Sequence, residues 1–116
     1  MIIAAVSDLI FRTSITKTAQ ASSAPLTVVR TAAEFIRAAA EHAPRLVIVD
    51  LNLTGADPLE LIHSAVGLAP RPRIVAYVSH VQVALAQAAE SAGADQVLPR
   101  SAFVKLLPTL FSPDAP

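Results

Sequence analysis

The stretch LVIVDLNLTGADPLELI, residues 46–62, decides the fold. Residues 46–50 form a run that is apolar up to a final acid. Such a continuous run is typical of a strand covered on both faces, whereas a half-exposed strand alternates apolar and polar residues. Asp57 and Pro58 follow as a helix start, because an acid at the N-cap and a proline at the first helical position are both favoured there. A buried strand followed by a short loop and a helix indicates an α/β unit.

The same order of short apolar run and helix-length segment recurs along the chain. The predicted strands are IIAAV (2–6), LTVVR (26–30), LVIVD (46–50), IVAYV (74–78) and DQVL (95–98). Strands that alternate with helices imply right-handed crossovers between parallel neighbours. We therefore predict an α/β fold: one doubly wound, five-stranded parallel sheet with helices on both faces. If the strand order is 2-1-3-4-5, the first and third strands are neighbours.

Local signals mark several helix boundaries. Thr31 precedes Ala32-Ala33-Glu34 with the spacing of a capping box, and Ser79 to Gln82 repeats the S-x-x-Q form of that pattern. Gly93 is well placed to end the helix between the fourth and fifth strands. In the last segment, residues 101–111, Pro108 lacks an amide donor and should break or kink the helix. A predicted apolar stripe on the helix after Thr31 contains Phe35, Ile36, Ala39 and Ala40.

Length and composition limit the classes of protein. The chain has 116 residues, of which we assign 1–112 to one domain and 113–116 to a short tail. Nine acids balance nine Lys and Arg, which argues against a surface that binds nucleic acid or anionic lipid. Mean hydropathy is high, +0.55, but the uninterrupted apolar runs are too short to span a membrane. No basic residue precedes the apolar start and there is no cysteine, so we expect a cytoplasmic protein without disulfides.

Polar residues end or follow four of the predicted strands: Asp8, Asp50, the pair Ser79-His80, and Arg100. In a doubly wound sheet these positions border the crevice where ligands bind. Asp8 and Asp50 would then hold a hard divalent cation, for which Mg²⁺ is the first candidate, together with a backbone carbonyl. Alternatively, both acids cap loops and helix starts. The three glycines form no phosphate-binding loop, which argues against a nucleotide enzyme of that type.

Asp50, the loop Leu51-Asn52-Leu53-Thr54-Gly55 and the helix start at Asp57-Pro58 resemble the phosphoacceptor strand and loop of response-regulator (CheY-like) receiver domains. The run 93–98, GADQVL, resembles the approach to the fifth strand of that family. The resemblance covers essentially the whole chain, and it implies a flavodoxin-like sheet in the order 2-1-3-4-5. It implies that Asp50 accepts a phosphoryl group from a histidine kinase or phosphotransfer protein. It also implies an Mg²⁺ site made by Asp8, Asp50 and the backbone carbonyl of Asn52, with Arg100 and Ser79 contacting the phosphate.

The chain departs from that family around the acceptor. Receivers usually carry two adjacent acids after the first strand, whereas here the pair is Ser7-Asp8. The usual Lys-Pro pair after the fifth strand is Arg100-Ser101, and arginine is not equivalent to lysine. With fewer acids we expect Mg²⁺ to bind weakly and phosphorylation at Asp50 to be impaired.

The residues through which receivers of this family respond to phosphorylation also differ in this chain. The switch hydroxyl after the fourth strand maps to Tyr77, Val78 or Ser79, and only Ser79 keeps an aliphatic hydroxyl. Tyr77 more readily fills the core or a strand end. The aromatic residue expected on the fifth strand is Val97, so the coupled aromatic movement is missing.

The helix after the fourth strand, residues 81–92, has Glu90 as its only charge, where a charged outer stripe would be expected. We interpret it as a protein-contact surface, with Val81, Leu85 and Val97 as partner-binding residues and a second copy or another signalling protein as the partner. Alternatively, small alanines are simply tolerated at the surface of this helix. Three functions remain open: a signalling receiver that is not an enzyme, a pseudo-receiver that docks partners and is never phosphorylated, and a small metal-dependent enzyme.

Overall fold

The computed structural model describes residues 1–79 and 82–112. Strands and helices alternate along them: β1 (Ile2–Ala5), α1 (Leu9–Ala21), β2 (Leu26–Val29), α2 (Ala32–Glu41), β3 (Leu46–Asp50), α3 (Pro58–Val66), β4 (Arg73–Val78), α4 (Val83–Ala92), β5 (Gln96–Pro99) and α5 (Arg100–Phe111). All five predicted strands are present, and β3 spans the predicted residues. The ends of the other four differ by one residue. His80, Val81 and the predicted tail 113–116 lie outside the described residues.

The strands form one parallel sheet in the order β2-β1-β3-β4-β5, as predicted. In this order β1 and β3 are neighbours, with Ala5 opposite Val49. On β4, Tyr77 is opposite Asp50, the last residue of β3. The chain continues from β1 towards one edge of the sheet and from β3 towards the other, so the loops after these two strands border the crevice at the sheet's carboxyl edge.

Both faces of the sheet are covered, and alternate strand residues divide between two apolar clusters. Ile3, Val47 and Ala76 belong to the cluster that includes α2, α3 and α4. Ile48 and Tyr77 belong to the cluster that includes α1 and α5. Coverage on both faces explains why the strands are continuously apolar in sequence.

The predicted caps of α2 and α3 are confirmed. The Thr31 hydroxyl accepts the Glu34 amide, and the Asp57 carboxylate accepts the Leu59 amide. The predicted apolar stripe of α2 is wrong at two positions, because Ile36 is 63% exposed and Ala40 is also exposed. The helix instead buries Phe35 and Ala38, which are three residues apart and therefore share one face.

The start of α4 differs from the prediction, and its end agrees with it. The residue at the N-cap is Gln82, whose side chain makes no capping hydrogen bond, so Ser79 does not cap this helix. Gly93 ends α4 with a φ of 120°, and a Cβ there would collide with the Val66 side chain. Only glycine meets both requirements without strain.

Pro108 does not break the last helix, which continues to Phe111. Pro108 is exposed, while Leu107, Leu110 and Phe111 are buried against the sheet and hold the final turn in place. The guanidinium of Arg45 also donates to the carbonyl of Leu110, at 3.2 Å. Packing of this apolar face therefore outweighs the missing amide donor. Within the described ranges, no helix has the length and apolar character that a bilayer crossing requires.

Candidate functional site

Asp8 follows β1 and is bound through both carboxylate oxygens. Oδ1 accepts the amides of Ile10 at 2.9 Å and Phe11 at 3.1 Å, which makes Asp8 the N-cap of α1. Oδ2 pairs with Nη2 of Arg100 at 3.2 Å. The Phe11 amide, followed by the hydrogen bond from Arg100, lowers the pKa of the Asp8 carboxyl. Asp8 therefore caps a helix start, as the alternative interpretation expects, and it also forms an ion pair with Arg100.

Asp50 ends β3 and is the one charged residue buried in the described part of the chain, at 5% exposure. Its Oδ1 accepts the Asn52 amide at 2.8 Å. Burial raises the pKa of this carboxyl, and that effect exceeds the opposing influence of the Asn52 amide, the nearby Tyr77 hydroxyl and the Arg100 charge. Asp50 is thus a carboxylate whose ionised form is incompletely compensated.

Arg100, the first residue of α5, brings its cation to the carboxyl edge of the sheet, where Asp8 and Asp50 lie. This edge with its three charged residues is called the rim below. Its guanidinium pairs with Asp8 and lies over the Phe11 ring, 4.1 Å from the ring centroid. The charges of Arg100 and Asp8 both act on the pKa of Asp50. The carboxyl ends of β1, β3 and β5 therefore bring these side chains together, although residues 8 and 100 are 92 positions apart.

Tyr77 faces Asp50 from the neighbouring strand. Its ring is fully buried, stacked on Phe103 at 4.5 Å between centroids and tilted against Phe11 at 5.0 Å. The Tyr77 hydroxyl is close enough to Asp50 for each group to shift the other's pKa, yet it makes no well-formed hydrogen bond within the described residues. Burial strongly raises the pKa of Tyr77, which keeps the hydroxyl protonated. Tyr77 thus fills the core beside Asp50, while Ser79 follows the end of β4.

The Asn52 side chain joins two loops at this rim, a role that sequence reasoning missed. Its Oδ1 accepts the Ser79 amide at 3.0 Å, and its Nδ2 donates to Oε1 of Gln82 at 2.9 Å. The resemblance drew attention only to the backbone carbonyl of Asn52. An amide side chain placed two residues after a strand was the available signal, because it can donate and accept hydrogen bonds at once.

An open groove of about 810 Å³ lies beside the rim, between α4 and α5 and over β5. Val83, Val97 and Val104 are among its lining residues, and Val83 and Val104 are 61% and 42% exposed. Val97 therefore lies in the predicted contact face. Leu85 and Val97 both pack against the core cluster that includes α2, α3 and α4, but Leu85 is not among the groove's lining residues. Val81 lies outside the described residues.

The residues at the rim do not fit a tight divalent-cation site as they are arranged. Hard cations such as Mg²⁺ need several oxygen ligands, preferably carboxylates. Ser7, which stands where receivers carry a second acid, uses its hydroxyl oxygen to accept the Thr54 amide at 3.1 Å. Both oxygens of Asp8 are engaged, and no group of three or more His, Cys, Asp or Glu with metal-binding geometry occurs in residues 1–79 and 82–112.

Comparison with solved structures shows that the fold of this chain is a known one. The receiver domain of NtrX from Brucella abortus matches with a TM-score of 0.81 and 21% identity, over 92% of this chain and 91% of that one. A response regulator protein from Burkholderia pseudomallei, with a phosphorylated aspartic acid, calcium ion and citrate, matches with a TM-score of 0.82 and 21% identity, over 98% and 67%. A CheY-like receiver domain protein from Methanospirillum hungatei matches with a TM-score of 0.76 and 18% identity, over 85% and 79%.

No protein-family model matches the sequence, and no curated protein matches it significantly. The structural likeness is nevertheless consistent across these receivers and extends over most of the chain. The protein has the receiver-domain fold, and the predicted resemblance to response-regulator receivers is confirmed at the level of the fold.

Proposed function

We propose that the protein is a two-component signalling receiver that acts through protein–protein contacts, and that phosphorylation at Asp50 is impaired. The observation that carries this proposal is the position of Asp50, at the end of β3 on a rim shared with Asp8 and Arg100, within a receiver fold. The similar regulator from Burkholderia pseudomallei holds a phosphorylated aspartic acid. We also propose a cytoplasmic location, which agrees with a sequence that lacks cysteine.

The contacts of Asp50 explain why its reaction with a phosphoryl donor should be slow. A carboxylate attacks an anionic phosphoryl group poorly unless positive charge screens the two. Here the side chain is buried, one oxygen accepts the Asn52 amide, and Tyr77 borders it inside the core. Arg100 supplies one positive charge, and that charge is already paired with Asp8. The proposed Mg²⁺ site of Asp8, Asp50 and the Asn52 carbonyl is correspondingly weak.

Incubation with acetyl phosphate and Mg²⁺, followed by intact-protein mass spectrometry, tests this proposal. We expect a small phosphorylated fraction that forms slowly and disappears in Asp50→Asn. The matched control is Asp57→Asn, which makes the same chemical change at an exposed helix cap and should leave the labelling unchanged. Rapid, Mg²⁺-dependent labelling of the unmodified protein would show that the acceptor is fully active.

The groove between α4 and α5 is the proposed contact surface, with a second copy of the chain as the first partner to test. Its exposed valines would be removed from water in a complex, which favours association. We expect sedimentation equilibrium to show a concentration-dependent mass that Val104→Glu abolishes. Ile36→Glu, at an exposed position on α2, is the matched control and should retain the association. A monomer at every concentration, with no histidine kinase, phosphotransfer protein or other signalling protein bound, would contradict this surface.

The pseudo-receiver is the second candidate, and the Asp8–Arg100 pair is the observation that favours it. A rim closed by its own ion pair can dock partners without accepting phosphate. Beryllofluoride with Mg²⁺ distinguishes the two functions, because amide shifts around Asp50 and Asn52 require a carboxylate that accepts the phosphate mimic. The enzyme hypothesis has less support, since the groove beside the rim is lined mainly by apolar side chains.

A further inference from the structure

The acidic rim already contains a cation that belongs to the chain. Asp8 and Asp50 contribute two negative charges, and the guanidinium of Arg100 contributes one positive charge within 3.2 Å of Asp8. We propose that Arg100 is the resident cation of this rim and that it prevents a divalent cation from binding tightly between the two carboxylates. The inference rests on the proposed function only in treating Asp50 as the functional carboxylate.

Two contacts hold the guanidinium in place. One is the pair with Oδ2 of Asp8, and the other is the face of the Phe11 ring, 4.1 Å from the guanidinium carbon. Phe11 is itself buried against Tyr77 and Phe103, so the ring is a rigid support. An arginine is well suited to this position, because its planar group can pair with a carboxylate and stack on an aromatic ring together.

A divalent cation entering the rim would meet two obstacles. It would have to take Asp8 Oδ2 from Arg100, because Oδ1 of the same carboxylate accepts the amides that cap α1. It would also lie near a fixed positive charge. Two charges of +2 and +1 separated by about 5 Å repel enough to weaken binding roughly tenfold even at the dielectric constant of water.

The inference is tested by titrating the intact protein with Mg²⁺ alone. The sequence contains one tyrosine and no tryptophan, so intrinsic fluorescence reports on Tyr77 beside Asp50. Mn²⁺, followed by paramagnetic broadening of backbone amides, locates the ion independently. The informative variant is Arg100→Gln, and we expect it to bind Mg²⁺ at least about tenfold more tightly than the unmodified protein.

Matched variants separate this effect from a general change of charge. Arg71 also pairs with an aspartate, Asp95 at 3.1 Å, but it lies before β4 at the opposite end of the sheet. Arg71→Gln therefore changes the net charge equally and should leave Mg²⁺ affinity unchanged. Adding Asp8→Asn to Arg100→Gln should abolish the tighter binding, and asparagine still caps α1. If Arg100→Gln does not fold, Arg100→Met serves instead, because methionine removes the charge and keeps a long side chain that can lie over the Phe11 ring, and this variant should also bind Mg²⁺ about tenfold more tightly than the unmodified protein.

Equal Mg²⁺ affinity in the unmodified protein and Arg100→Gln would overturn the inference, as would equal tightening in Arg71→Gln. Where Arg100→Met is the variant used, affinity no higher than that of the unmodified protein would overturn it. These results are distinct from failure of the proposed function. Rapid phosphorylation of Asp50 would refute the impaired receiver, whereas the metal titrations address Arg100 alone.

Discussion

Replacing Asp50 by asparagine should stabilise the fold at neutral pH. The Asp50 carboxylate is 5% exposed and accepts the Asn52 amide, and burial raises its pKa. Asparagine keeps an oxygen that can accept this amide, and its amide group can donate to the Tyr77 hydroxyl, which makes no well-formed hydrogen bond in the part of the chain that the structure describes. The substitution therefore removes an incompletely compensated buried charge and keeps the existing contact.

The size of the gain follows from the contacts of the ionised group. A buried polar group without a partner costs about 1–3 kcal/mol, and more when it is charged. Attraction from the Arg100 charge offsets part of this cost at Asp50. We expect Asp50→Asn to raise the free energy of unfolding by about 1 kcal/mol, which corresponds to about 4 °C in Tm for a domain of this size.

The gain should depend on pH with a definite sign. Because the pKa of Asp50 is raised above its ordinary value of 3.8 in the folded state, the folded protein binds more protons than the unfolded chain as the pH rises above that value. Ionisation therefore destabilises the unmodified protein as the pH rises through the raised folded pKa. The advantage of asparagine should be present at about pH 7.5 and nearly absent at about pH 4.

Urea unfolding followed by far-UV circular dichroism at both pH values measures this difference. Asp57→Asn, which removes an exposed carboxylate from a helix cap, is the control and should change stability by less than about 0.5 kcal/mol because the two residues cap almost equally well. A variant that is less stable than the unmodified protein at neutral pH, or a gain that is equal at both pH values, would refute the argument from burial.

Three further changes probe the packing around the rim and at the end of α4. Tyr77→Phe removes a buried hydroxyl that has no well-formed hydrogen bond, so thermal unfolding should show a loss below about 0.5 kcal/mol; a loss above about 1 kcal/mol would reveal a bond to a neighbour. Asn52→Ala removes the acceptor of the Ser79 amide, whose hydrogen exchange should become about tenfold faster; an unchanged rate would assign its protection elsewhere. Gly93→Ala should cost about 2 kcal/mol through its positive φ and a collision with Val66, and adding Val66→Ala should recover part of this in a double-mutant cycle; strict additivity would exclude the collision.

Periodicity and local chemistry were sufficient for most of the fold. The continuous apolar runs located the five strands, and the caps at Thr31 and Asp57 and the glycine at 93 marked helix boundaries correctly. The local argument failed at Pro108, because the cost of a missing donor is local whereas the burial of Leu107 and Phe111 that outweighs it is tertiary.

The sequence by itself determined the alternation of strands and helices and the position of Asp50 at a strand end, because both depend on neighbours along the chain. The structure decided which partners those residues meet. Asp8 meets Arg100 from 92 positions away, and Tyr77 lies beside Asp50, since sheet order and strand register bring distant strand ends together. Contacts of this kind leave no local pattern in the sequence, because each depends on the packing of elements that are remote in the chain.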